Sequence, residues 1–132
     1  SHSRGQLLLG WSPWPLGVDL EPQARPLRCR ALLKRLCVET EWQQLARLPA
    51  EQLRLELLGR WVLLEALTKR RRSRLAQELG RWHWDAAAAQ MQHCLTGECV
   101  DADLRLLERD GQRWWLAWSG GPAPAVEPLQ RG

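Results

Sequence analysis

The segment that most restricts the fold is AEQLRLELLGRWVLLEALTKRRR, residues 50–72. Pro49 precedes it, Glu51 falls in its first turn and arginines crowd its last, the polarity that a helix dipole prefers. Its centre, WVLLEAL at 61–67, is apolar on every side except at Glu65. A helix that is greasy all round has no face to give to water, so it has to run through the middle of its domain. The single acid in that setting is an anomaly, because a buried carboxylate costs several kcal/mol unless it is paired or metal-bound. Lys69, four residues later, offers an i,i+4 ion pair as the simplest answer.

A second anomaly lies upstream in PLGVDLEP, residues 15–22. Strict alternation is the signature of a strand, so Leu16, Val18 and Leu20 share one face and Asp19 and Glu21 share the other. Two like charges on neighbouring same-face positions repel, and nothing local neutralises them. An Arg, a Lys or a metal should sit above that face. One hard cation held by the carboxylates of Asp19, Glu21 and Glu65 answers both anomalies together. Mg2+ is the natural candidate, since it takes a few protein carboxylates and keeps sites for water and phosphate oxygens.

Around these two segments the chain reads as α+β, a small antiparallel sheet packed on the long central helix. QLLLGW (6–11) and LGVDLE (16–21) are predicted to form a hairpin about the turn SPWP, and a basic amphipathic helix is predicted from Leu27 to about Cys37. A short helix follows within VETEWQQLARLP, starting from Val38 or capped by Thr40. LAQELGRWHWD (75–85) reads as a helix end and an extended piece, and the alanine run 86–89 as the start of a helix through His93. DLRLLE (103–108) and RWWLAWS (113–119) read as a hairpin with Asp110–Gly111 in the turn. The expected organisation is one domain over 1–119 and a flexible Pro/Gly-rich tail over 120–132.

Composition excludes some classes and leaves others open. No window approaches the roughly 18–20 apolar residues of a membrane span, so no membrane is expected among the partners. The chain opens on SHSRGQ, without Met or a signal peptide, and is expected to be a processed product or a fragment. Cysteines at 29, 37, 94 and 99 form no CxxC pair and read as reduced thiols of a cytoplasmic protein. The net charge of +4, densest at RRR (70–72) with Arg74, suits phosphates, nucleic acid or an acidic protein, and equally a solvated helix end. Nucleic acid is the weaker alternative, because Asp19, Glu21 and Glu65 would oppose it without a metal. A zinc site from His83, His93, Cys94 and Cys99 is a further rival, although the spacing matches no standard pattern.

Three motifs in register carry a family resemblance. Ser1-His2-Ser3, then Gly17-Val18-Asp19-Leu20-Glu21, then Trp61 through Glu65, Ala66 and Lys69 follow the order SHS, G-[IV]-D-x-E and W-x-x-K-E-A-x-x-K. The chain thereby resembles the 4'-phosphopantetheinyl transferases of the two-lobed Sfp type, well over about residues 1–75 and loosely beyond. The resemblance implies the second lobe of that fold and transfer of phosphopantetheine from coenzyme A to a serine of an acyl or peptidyl carrier protein. It implies Mg2+ on Asp19, Glu21 and Glu65, with Glu65 also the base for the carrier serine. Lys69 would contact the pyrophosphate, and Ser1 and His2 the phosphates of the coenzyme. Arg70, Arg71, Arg72 and Arg74 are candidates to attract the acidic carrier.

Departures from the family pattern are Leu64 in place of a lysine and RRRSR where glycines are common. In addition, the chain starts at the SHS element, where the two-lobed enzymes carry a whole upstream lobe. A truncated half, a homo-oligomer that completes the site, and a non-catalytic remnant are the readings these departures open.

Overall fold

The computed structural model describes residues 2, 3, 6–10, 12 and 15–120. Along the chain run β1 (His2–Ser3), β2 (Gln6–Leu7), β3 (Gly17–Pro22), α1 (Cys29–Leu36), α2 (Glu39–Leu45) and α3 (Ala50–Arg71). They are followed by α4 (Leu75–Glu78), β4 (Trp82–Asp85), β5 (Gln90–His93), β6 (Cys99–Arg109) and β7 (Gln112–Ser119).

The axis of the fold is α3, as its all-round apolar centre requires. Leu57, Leu58, Val62, Leu63, Leu64, Ala66 and Leu67 are 0–2% exposed. Each buried leucine is worth about 1.5–3 kcal/mol relative to an exposed one. They pack with Leu33, Leu36 and Cys37 from α1 and its end, and with Trp82, Trp84, Met91, Val100, Ala102 and Ala117 from the sheet. The sheet is antiparallel throughout, in the order β3-β7-β6-β5-β4. The β6–β7 hairpin turns at Asp110 and Gly111, both at positive φ (53° and 74°), as a two-residue turn between right-twisted strands demands.

The alternation in β3 holds, and its orientation positions the acids. Leu20 joins Trp114 and Leu116 in a second, small cluster on the sheet face away from the main core. Gly17, Asp19 and Glu21, on the opposite pleat, face α3. A β-carbon at residue 17 would collide with the Ala66 carbonyl and come within 2.7 Å of the Arg70 amide nitrogen, so glycine is what lets β3 lie directly on the helix.

Four local expectations need correction or narrowing. Among the described residues β3 pairs with β7, and Gln6–Leu7 pairs with His2–Ser3. Strand β7 offers β3 a partner over its whole length, Gly17 to Pro22. Helix α2 begins after Val38 rather than at Thr40. The alanine run forms no helix: it is the turn of the β4–β5 hairpin, and 90–93 is a strand. Asp85 Oδ1 accepts the Ala88 N–H at 3.1 Å, Ala89 takes φ 51°, and the pairing of Met91 and Trp84 into the core overrides the helix preference of alanine. Finally, the tail beyond Gly120 lies outside the described residues, as do Trp11, Pro13 and Trp14 of the first predicted hairpin.

Candidate functional site

Where β3 crosses the C-terminal half of α3, the acids meet two cations. Lys69 Nζ lies 3.0 Å from Asp19 Oδ1 and also donates to the Val18 carbonyl at 3.1 Å. Arg25 Nη1 lies 2.9 Å from Glu21 Oε1, and its guanidinium stands 5.5 Å from the centre of the Trp61 ring. The positive charge that the sequence demanded above this face is therefore supplied by a lysine and an arginine. The expected Glu65–Lys69 pair does not form, because Lys69 reaches across to β3.

Glu65 is left without a hydrogen bond or ion pair to any described residue. Burial raises its carboxyl above the ordinary range, and Asp19 raises it further, against the opposing pull of Lys69 and Arg25. Glu21 also adds to the rise, so all three acids belong to one electrostatic cluster. The carboxyl of Glu21 is likewise raised, first by burial and then by Asp19, with Arg25 as the main opposing charge.

Among the described residues, no three His, Cys, Asp or Glu side chains stand close enough to hold a metal ion as they are placed. In kind, however, the donor set suits a hard divalent cation. It consists only of carboxylate oxygens, and two of the three carboxyls are held up by burial and mutual repulsion, which a bound cation relieves.

Two members of the site, Ser3 and Arg25, carry no role in the sequence reading, although Ser3 belongs to the SHS motif. Ser3 Oγ donates to Glu21 Oε2 at 3.5 Å, and Arg25 pairs with Glu21 across a turn closed by Arg25 N–H on the Pro22 carbonyl at 3.0 Å. The clue to Arg25 was its i,i+4 spacing from Glu21, which carries weight in a helix but not across PQARP. Ser1 and the side chain of His2 lie outside the described part of the structure. Leu64, at the position of the family's lysine, is 2% exposed and belongs to the main core.

The arginine cluster divides into different environments. Arg71 is fastened inward, 2.9 Å from Glu98, 3.4 Å from Glu78 and 5.0 Å from the Trp82 ring centre. Arg70 and Arg72 make no ion pair with a described residue and line a cavity beside Lys69. His93, offered above as a zinc ligand, uses Nδ1 to accept the N–H groups of Leu95 and Thr96 at 3.2 Å each. None of the four cysteines forms a disulfide. No helix among the described residues is long and apolar enough to cross a membrane.

No curated protein matches the chain significantly. A family model, described as the 4'-phosphopantetheinyl transferase superfamily, matches residues 15–119. That span holds β3, the whole of α3 and the five-stranded sheet, and with them Asp19, Glu21, Glu65 and Lys69. On that match the chain belongs to the 4'-phosphopantetheinyl transferase superfamily, a family of transferases.

Proposed function

We propose that this chain is a cytoplasmic enzyme that moves the phosphopantetheine arm of coenzyme A onto a serine of an acyl or peptidyl carrier protein, with Mg2+ as cofactor. Asp19, Glu21 and Glu65 would hold the ion. When bound, it supplies polarisation of the attacked phosphorus and neutralises charge on the departing phosphate.

The remaining work falls to the protein's own groups. Glu65 accepts the proton of the carrier serine, whose oxygen forms the new bond to phosphorus. The pyrophosphate P–O bond breaks, and its electron pair leaves with adenosine 3',5'-bisphosphate. Lys69 steadies the pyrophosphate while staying within reach of Asp19, and Ser1 and His2 contact the phosphates.

The observation that carries this reading is Glu65 itself. It is a half-buried carboxylate on the central helix, with no bonding partner among the described residues, in the electrostatic reach of Asp19, Glu21 and Lys69. A purely structural acid in that position would be bonded. The test incubates an apo carrier protein with coenzyme A, Mg2+ and the chain, and looks for the added arm by mass spectrometry. Modification that survives Glu65→Gln would remove Glu65 from the chemistry.

A second reading, a fold kept without turnover, is favoured by the ion pairs already made by Asp19 and Glu21. The same assay separates the two: this reading leaves the carrier unmodified at any Mg2+ concentration.

A further inference from the structure

The loop that follows β3 fixes the backbone of Arg25 from several sides. Arg25 N–H bonds the Pro22 carbonyl at 3.0 Å, and Gln23 N–H bonds the Arg113 carbonyl of β7 at 2.8 Å. Arg54, near the start of α3, donates through Nη1 to the carbonyls of Gln23 and Arg25, the latter at 2.9 Å. Arg54 is itself held by a two-pronged pair with Glu51, at 2.6 and 3.1 Å. The main chain of Arg25 is thus tied to sheet and helix alike. Its guanidinium stands 2.9 Å from Glu21 Oε1 and 5.5 Å from the centre of the Trp61 ring.

An ordinary surface ion pair has no need of these anchors. On a helix, side chains four apart are neighbours without help, but residues 21–25 form no helix. The side chains of Glu21 and Arg25 are 18% and 36% exposed, so water screens their attraction only in part. Trp61 stands one turn before Glu65 on α3, and the charge of Arg25 also lowers the raised carboxyl of Glu65. A single arginine therefore acts on two of the three acids, as a cation bound between them would. A divalent ion bonded to the Glu21 carboxylate would repel that guanidinium, so the two compete for one acid.

We infer that Arg25 is the internal counter-cation of the metal-free site, set on Glu21 by Arg54, and that a divalent cation binds Glu21 only by displacing it. The inference rests on the function proposed above, which assigns Glu21 to the metal. It has an unusual consequence, because removal of a side chain that contacts the site strengthens binding there. Arg54, which bonds Glu51 and main-chain carbonyls, acts through Arg25 and is a positioning residue.

The experiment measures binding of Mn2+ alone by electron paramagnetic resonance, and of Mg2+ alone by calorimetry, on the full chain without coenzyme or carrier. The variants are Arg25→Gln, Arg54→Gln and their combination, with Arg54→Lys in place of Arg54→Gln if thermal melting shows that the latter is unfolded. Arg28→Gln, at an exposed arginine, controls for net charge. Arg25→Gln should tighten both ions about tenfold, the scale of one hydrogen bond to a charged group. The change at Arg54 should tighten them by a smaller factor, and the combination no more than Arg25→Gln alone, as expected of residues that act through one another. Binding that emerges only in Arg25→Gln supports the inference equally. Unchanged or weaker binding in Arg25→Gln overturns it, as do equal tightening in Arg28→Gln and additive effects at Arg25 and Arg54. Binding that Glu65→Gln abolishes and Arg25→Gln leaves alone keeps the metal site and removes this inference. A chain that binds neither ion in any variant loses both. Tighter ion binding by Arg25→Gln, in a protein that never modifies a carrier, would sink the enzymatic reading and leave this one standing.

Discussion

The molecule buries carboxylates in two regions, and it treats them differently. In the first, α2, α4 and β4 hold Glu41 and Glu78, each 5% exposed. Glu41 accepts the Trp84 backbone N–H at 2.8 Å, with Arg60 and His83 at 3.5 and 3.4 Å, and Glu78 accepts the Trp82 indole N–H at 2.7 Å. Fixed N–H donors make these acids into staples that join helices to the sheet. In the second region, Glu21 meets the guanidinium of Arg25, and Glu65 has no bonding partner among the described residues. Donors locked in the backbone or in a buried indole mark structure. Acids that face one another without such donors mark a place where a ligand can change the balance.

The comparison breaks most sharply at Glu65. Glu65→Gln should lower transfer activity roughly a hundredfold to ten-thousandfold, the range for loss of a general base, with no loss of melting temperature. A variant that melts well below wild type would move Glu65 into the structural class. The reverse holds for Glu41. Glu41→Ala should cost about 3 kcal/mol in denaturant unfolding, since it leaves the Trp84 N–H without its acceptor and takes from Arg60 one of its two carboxylate neighbours. Wild-type stability in that variant would show that the staple holds nothing.

A smaller effect comes from pH. The carboxyls of Glu21 and Glu65 are raised in the folded chain, so their favourable contribution is complete below the unfolded carboxylate values and is lost as pH rises through the raised ones. With a chelator present, the stability of Glu65→Gln should therefore gain on wild type as pH rises from about 4, the ordinary carboxylate value, through the raised one. Parallel melting curves over that range would contradict the cluster. The mildest probe is thiol chemistry. Burial, and then the charge of Glu41, push the Cys37 thiol up to about 12, whereas Cys94 and Cys99 are exposed. Alkylation followed by mass spectrometry should label Cys94 and Cys99 in the native protein, and Cys37 only once the chain unfolds. Native labelling of Cys37 at the rate of Cys99 would mean that the structural region opens readily.

Much of this was legible along the chain, and the misses share one cause. The apolar girdle of WVLLEAL announced a central helix, the alternation in GVDLE announced a strand with its acids on one face, and Asp110–Gly111 announced a hairpin. Each of those signals is local and repeats over several residues. Glu41 and Glu78 passed unnoticed because ETEW and QELG look like ordinary solvated helix. Their burial depends on Trp84, 43 residues from Glu41, and on the packing of Trp82. Lys69 was read as the partner of Glu65, four residues away, and went instead to Asp19, 50 residues away. The alanines of 86–89 failed as a helix because their neighbours in space, not in sequence, set the turn.

By itself, the sequence determined the kind of domain this is. Periodicity decides which face of an element is apolar, and the volume of apolar side chains in α3 left no alternative to burying it. Which cation meets which acid was decided only in the tertiary structure, because long side chains choose among partners that the packing of backbones brings within reach. Gly17 shows the link between the two. Its missing side chain is visible in the sequence, but only the contact of β3 with Ala66 and Arg70 gives that absence its purpose, which is to bring Asp19 within 3.0 Å of Lys69.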